Sequence, residues 1–381
     1  MKEIPNVILL LESARRIDRD LALGLAKYAS LAGPWTFYRE PDRGENPLQR
    51  LREWGAHGMI AHVPDKKTMQ LIIDSKIPTI TRGIKIPGFP VITSNATAVA
   101  TMAAEHLIEC GFQSFAFCDR IGTSWSQKRC EVFRHLVKKN GGDFYHYQAP
   151  TTKTKRLWEN EQPILADWLQ QLPKPIGIMA DNDDRARHII EAAKIAEVKI
   201  PDEVAIIGVD NDDQVCALAY PHLSSIALNF EQVGYRAAEL LDLMMKGITV
   251  DDEEIILEPT HIVARQSTDV QAIEDSEVID AIHFIRENTR KPIGVDNVVE
   301  ATMLSRRVLE KRFRTTYDQS ILSMIRKSRV EQICRMLIET NMTVSQIGNA
   351  MGFTSEKHIS RTFRKEKEIS PIAYRNLYGK K

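Results

Sequence analysis

The sequence has 381 residues, 43% hydrophobic and 27% charged, which gives enough material for two or three domains with a sizeable core and excludes a fibrous or disordered chain. Basic and acidic residues balance at 51 each, but unevenly: Ser276 to Lys381 holds 20 Lys and Arg against 12 Asp and Glu, leaving 31 against 39 before it. A basic end on an acidic body assigns phosphate contact to the end and another task to the bulk.

The apolar run Asn6 to Leu11, bounded by Pro5 and Glu12, has the pattern of a parallel strand covered on both faces. It is too short to span a membrane and no small-residue cleavage site follows, so a cytoplasmic protein without membrane contact is expected. A helix comes next, with Ile17, Leu21, Leu25, Tyr28 and Leu31 at spacings of three or four and Gly33-Pro34 ending the period. Strands are expected at 35–38 and 58–63, a helix at 66–75, and strands at 78–81 and 90–93. From Ala96 the pattern repeats: helix to Cys110, strand 114–118, helix 126–140, strand 144–147, helix 158–171, strand 176–180, helix 184–196 and strand 204–209. Strand and helix in turn mean a doubly wound α/β fold, and so many strands call for two parallel sheets in two lobes with a cleft between them. The five cysteines are odd in number and lack Cys-x-x-Cys or Cys/His ligand spacing, so reduced, buried thiols are expected, with no metal and no cofactor.

At Thr343 the pattern changes. Val344, Ile347 and Ala350 fall on one helical face, Gly352 and Phe353 break the period, and a second helix starts near Ser355 with Ile359 and Phe363 one turn apart. This is a helix-turn-helix, with Gly352 where a turn needs positive φ and Ser355 placed to cap the second helix. The outward residues Lys357, His358, Ser360, Arg361 and Arg364 make a basic, donor-rich face that suits a DNA major groove. Lys365, Lys367, Lys380 and Lys381 add attraction that is independent of base sequence.

This end resembles the DNA-binding domain of AraC-type transcription regulators, including the closing Ser370-Pro371 and Tyr374-Arg375. The resemblance extends upstream, where Val298-Val299 to Ser305, Leu309, Arg312-Phe313 and Arg329 follow the family's first helix-turn-helix and Arg329 to Leu337 its linking helix. It implies an all-α domain with two such motifs and outward reading residues Arg306, Arg307, Glu310 and Lys311 in the first. Met303 and Glu368 stand where glycines are usual, and Ile359 where an aromatic is common; these departures bear on turn geometry, not on the reading residues.

The body resembles another family. AAEHLIECGFQSFAFCDR (Ala103 to Arg120), MADNDDRARHII (Met179 to Ile190), IPDEVAIIGVDNDD (Ile200 to Asp213) and Leu223-Ser224-Ser225-Ile226 look like the effector domain of LacI/GalR regulators, itself similar to periplasmic sugar-binding proteins. The two families joined in this order are the arrangement of bacterial xylose-operon activators. The resemblance implies a periplasmic-binding-protein-like effector domain over 1–268, a linker at 269–276 and a DNA-binding domain over 277–381. Three hinge crossings would fall near 119–124, 228–229 and 258–260, giving lobe one as 5–119 plus 229–257 and lobe two as 120–228 plus 260–268.

A sugar presents hydroxyls that donate and accept, and a flat apolar ring face. Its site needs carboxylates and amides, a guanidinium and an aromatic wall, brought together at strand carboxyl ends. Asp210 directly follows the run 204–209, and Asn182 and Asp183 follow 176–180. Arg129 matches a position from which related regulators reach the sugar. Ser13, Arg16, Asp18, His62 and Arg82 follow first-lobe strands. Other roles stand beside these: an interlobe ion pair for Asp210 and Arg129, a helix cap for Asp183, a structural hydrogen bond for His62, and core packing or surface anchoring for Trp125 and Trp158.

These signals converge on a sugar-responsive transcription activator, with xylose or another pentose as effector and operator DNA and RNA polymerase as partners. A homodimer follows from the LacI-like effector domain. A solute receptor of the transport class shares the fold of the first 268 residues, but the missing export signal and the basic end count against it. An enzyme would need a motif such as G-x-G-x-x-G, G-x-x-x-x-G-K-[ST] or G-x-S-x-G, and none is present.

Overall fold

The computed structural model describes residues 4–12, 14–39, 54–119, 123–250, 252–269, 276–317 and 319–378. The candidate Ser13, most of the expected linker and the lysines at 380 and 381 lie outside the described residues.

Two six-stranded sheets and a helical domain build the chain. The strands are β1 (Asn6–Leu10), β2 (Thr36–Arg39), β3 (Gly58–Val63), β4 (Thr79–Gly83), β5 (Val91–Ser94), β6 (Ser114–Cys118), β7 (Asp143–His146), β8 (Ile176–Ala180), β9 (Val204–Val209), β10 (Ser224–Leu228), β11 (Glu254–Leu257) and β12 (Pro259–Val263). The first sheet runs β11-β5-β4-β3-β1-β2, with every pair parallel. The second runs β12-β10-β9-β8-β6-β7, parallel except where β12 meets β10. Strands β8 and β9 are buried along their whole length, which is why they read as unbroken apolar runs.

The helices of the α/β part are α1 (Arg16–Ala32), α2 (Lys66–Ser75), α3 (Ala96–Glu109), α4 (Ser124–Lys139), α5 (Trp158–Gln171), α6 (Asp183–Ile195), α7 (Asp213–Leu218) and α8 (Phe230–Met245). The chain passes from one compact unit to the other at Asn95–Ala96, Leu228–Asn229 and Glu258–Pro259. The first of these corrects the boundary expected near 119–124. Residues 96–119 belong to the second unit, because β6 pairs there with β7 and β8. Within the first unit, α1 and α8 cross where neither tolerates a side chain: a Cβ on Gly24 would lie 2.0 Å from the Glu231 carbonyl oxygen, and one on Gly234 2.2 Å from that of Leu21. A Tyr28–Asp242 hydrogen bond of 2.8 Å fastens the same pair.

The helical domain comprises α9 (Ser276–Glu287), α10 (Val295–Glu300), α11 (Arg306–Tyr317), α12 (Ile321–Glu339), α13 (Val344–Ala350), α14 (Glu356–Lys367) and α15 (Pro371–Tyr378). It has two apolar cores sharing one helix: Ile321, Met324 and Ile325 of α12 pack with Leu309 and Phe313, while Val330, Ile333 and Leu337 pack with Ile347, Ile359 and Phe363. Arg329 lies at the junction, donating to the carbonyls of Lys291 and Met351 with its guanidinium 4.8 Å from the centre of the Phe353 ring. Ala350 is exposed; Gly348 and Met351 join Val344 and Ile347 on the buried face of α13.

Candidate functional site

In the second unit, the carboxyl ends of β8 and β9 gather three carboxylates and a guanidinium. Asn182 caps α6, its side-chain oxygen accepting from the Arg185 amide at 2.8 Å, so the capping role weighed for Asp183 falls to its neighbour. Asp183 is 2% exposed and turns inward. It accepts from the Asp212 amide at 2.7 Å and from the Ser225 hydroxyl, above Gly208, where a Cβ would come within 2.2 Å of the Asp183 Oδ1. Burial and then the nearby Asp210 push the Asp183 carboxyl well above the usual carboxylate range, against the pull of its hydrogen bonds.

Arg129, on α4, is 3% exposed. Its guanidinium donates to the Asp181 carbonyl and sits 4.7 Å from the Trp125 ring centre. Burial lowers its pKa, while Asp210, Asp181 and Asp183 hold the charge in place. Asp210 is half-buried and leaves β9 with φ of 102°, followed by Asn211 at 49°. Such a conformation in a residue with a side chain costs about 1–3 kcal/mol, which the surrounding structure must offset. Trp158 stands apart from this set, packed on His188 and Arg187 of α6.

The first unit carries a second polar set. Asp18, 2% exposed, accepts from the Arg82 guanidinium at 2.8 Å and from the Glu12 amide at 2.8 Å. Burial raises its carboxyl pKa, with Arg82 acting in the opposite direction. His62 Nδ1 lies 3.4 Å from Glu12, and Arg16 pairs with Asp20 at 2.9 Å. Breaking a buried pair such as Asp18–Arg82 leaves a stranded charge at about 3–5 kcal/mol, so its first service is to hold the loop after β1.

Sequence reasoning gave no site role to Asp119 and His146, at the ends of β6 and β7. They approach to 3.3 Å, and hydrogen bonds that the imidazole donates, first to the Asp119 carboxylate and then to the Cys130 sulfur, hold its pKa up to about 9. Their position after apolar strands was the available signal, the same that picked out Asp210. Among the described residues no cluster of His, Cys, Asp and Glu could hold a metal, the five cysteines are buried free thiols, and no helix is long and apolar enough to cross a membrane.

On the helical domain, α14 presents Lys357, His358, Arg361, Arg364 and Lys365 as exposed residues, with Ser360 half-buried among them. All of these except His358 line a shallow concavity with Glu356. Ser355 caps this helix by accepting from the His358 amide at 3.2 Å, and the turn before it uses Gly352 at φ of 68°. His358 leans edge-on against Phe353 with ring centres 5.2 Å apart. A capping box, Thr343 with Gln346, starts α13 and contributes about 1 kcal/mol. In the first motif Arg306, Arg307, Glu310 and Lys311 are exposed, but Arg306 is already bonded to Glu310 at 3.0 Å and to Asp296 at 2.9 Å.

Comparison with known proteins adds a second line of evidence. Residues 104–268 match the family model of a periplasmic binding protein-like domain, and residues 298–377 that of a helix-turn-helix domain. The chain is 31% identical to the xylose operon regulatory protein of Escherichia coli strain K12, over 98% of this chain and 97% of that one. It is 30% identical to the Haemophilus influenzae protein of the same name, over 97% and 98%. The solved structure of a xylose-binding transcription activator, 30% identical, superposes over the whole of both chains with a TM-score of 0.62. A cellobiose complex of another transcriptional regulator shares the fold alone, at 16% identity and a TM-score of 0.55 over 69% of this chain and 84% of that one.

Proposed function

The chain belongs to the family of xylose operon regulatory proteins, and from that premise we propose that xylose, or a pentose of like hydroxyl pattern, is the effector that sets its hold on DNA. It is a sugar-responsive, DNA-binding transcription regulator. The observation that carries the sugar reading is the group at the ends of β8 and β9, where Asp210 is held in a strained backbone beside a buried Arg129 backed by the Trp125 ring. A carboxylate and a guanidinium take and give hydroxyl hydrogen bonds, and an indole accepts the apolar ring face. Asp183 and Asn182 then act behind these contacts, holding the strand ends and α6 in position. From the first unit, Arg16 and His62 are the corresponding candidates, with Asp18 fixing Arg82.

On the DNA side, Arg361 and Arg307 are assigned to guanine edges or phosphate, with Lys357, His358, Ser360 and Lys311 beside them and Arg306 and Glu310 entering after their mutual bond opens. Sugar binding shifts operator occupancy only so far as the sugar favours one state of the protein over the other. Family membership also supports a homodimer acting on RNA polymerase; sedimentation with and without xylose tests the dimer.

Calorimetric titration with a panel of pentoses and hexoses tests the effector. Saturable binding of xylose, lost in Asp210→Ala, is the expected result. Binding of a hexose alone, or undiminished xylose binding in the variant, would send the assignment elsewhere.

A further inference from the structure

Among the described residues, the polar contacts that seat the second helix-turn-helix and its linking helix on the second sheet's unit include three. The Tyr374 hydroxyl of α15 donates to the Thr260 carbonyl of β12 at 2.8 Å, and both residues are 4% exposed. Arg335 of α12 donates to the Ile262 carbonyl at 3.3 Å. Lys327 of α12 pairs with Glu109 of α3 at 2.8 Å.

The placement of Thr260 gives the first contact its meaning. Thr260 is the second residue after the last passage of the chain between the two units, and its own hydroxyl donates to the carbonyl of Ala227, just before the middle passage. On the other side, the Tyr374 ring meets Phe363 of α14 edge-on, with ring centres 5.2 Å apart. A short line of touching groups therefore runs from both passages through Thr260 and Tyr374 to the helix that carries Arg361. For the helical core a phenylalanine would supply the same ring and give up only the hydroxyl's contact with the Cys334 thiol; the oxygen is also what reaches the other domain. Burial pushes the phenol pKa upward, so the hydroxyl remains a donor at any working pH.

We propose that Tyr374 is a positioning residue that couples the sugar-sensing domain to the second reading helix, its hydroxyl tying α15 to Thr260 at the hinge strands. The inference rests on the sugar reading above. It places the coupling in a residue that touches neither sugar nor DNA, and it assigns Lys327–Glu109 as a second tether on the same docking surface.

The test uses the full chain and a duplex selected from a randomised pool by the wild-type protein. Operator affinity is measured with and without saturating xylose, and xylose affinity by calorimetry. Tyr374→Phe is expected to keep xylose affinity and sugar-free operator affinity within about twofold of wild type, while the change in operator affinity caused by xylose shrinks about fivefold, the worth of one hydrogen bond. By linkage, the effect of the duplex on xylose affinity shrinks by the same factor. A purely structural hydroxyl would lower Tm and leave that ratio alone, and an unchanged ratio overturns the proposal. For the second tether, Glu109→Lys should reduce the ratio and Lys327→Glu in the same chain should restore it; failure of rescue overturns that assignment. Absence of saturable heat from the wild type with xylose and with every other pentose of the panel would overturn the sugar reading, and the coupling with it, before any ratio is compared.

Discussion

The two helix-turn-helix motifs share one linking helix and differ in how ready they are for DNA. In the second, the turn glycine has the left-handed backbone such a corner uses, a serine caps the reading helix, and the cations face outward. In the first, Met303 occupies the glycine position without positive φ, 92% exposed, and Arg306 is bonded to Asp296 and Glu310. One face is presented ready-made and the other must exchange internal partners for phosphate or base. Tandem motifs of one pattern therefore need not contribute equally.

The sharpest test of that asymmetry is at the reading residues. Arg361→Ala should cost about 1–3 kcal/mol of operator affinity and relax base preference at one position, measured by titration against duplexes with single-base changes. Arg306→Ala, which removes a guanidinium already engaged by Glu310 and Asp296, should cost less, and equal losses would break the comparison. At the turns, a Cβ on Gly352 would meet the Pro292 Cδ at 2.9 Å in a backbone of φ 68°, so Gly352→Ala should destabilise the domain by about 1–2 kcal/mol in thermal unfolding. Met303→Gly should instead lose about 0.5–1 kcal/mol, because it adds backbone freedom where none is needed.

At the end of α14, Glu368 is the left-handed C-cap with φ of 61°. Glu368→Gly should raise stability by about 0.5–1 kcal/mol, bringing the second motif nearer to its family pattern. The smallest effect is expected from Asp296→Asn, which removes one of the two partners of Arg306. Operator affinity should rise no more than about threefold at low salt and return to wild type at high salt, since exposed pairs are weak and screened.

Much of this was legible in the sequence, where periodicity located the strands and helices up to Val209 to within a few residues. Sheet membership was not: β6 follows a helix in sequence just as its first-unit predecessors do, and only its hydrogen bonds to β7 and β8 place it in the second sheet. Helix α8 lies beyond the elements read from periodicity, although Phe230, Val233, Ala237 and Leu241 recur at helical spacing; its Gly234 serves the contact with α1. At the candidate sugar site, position after a strand picked out residues that the fold gathers at the ends of β8 and β9, without separating their roles. Asn182 and Asp183 look alike in sequence, and only the geometry shows one capping a helix and the other buried against Ser225 and Asp212. The Tyr374 hydroxyl carried no sequence signal, because its partner is a backbone carbonyl 114 positions away.

The interleaving of the two units also sets a timetable for synthesis. The first sheet lacks its edge strand β11 and its helix α8 until the chain has passed residue 257, and the second lacks β12 until 263. On a ribosome extending about 5–20 residues per second, β5 and the apolar face of α1 wait on the order of ten seconds for partners encoded far downstream. Both halves of the body therefore mature almost together, late, and immediately before the helical domain begins to emerge. A chain cut at residue 228 would lack part of each sheet, so truncation there is not a route to either half as a folded fragment.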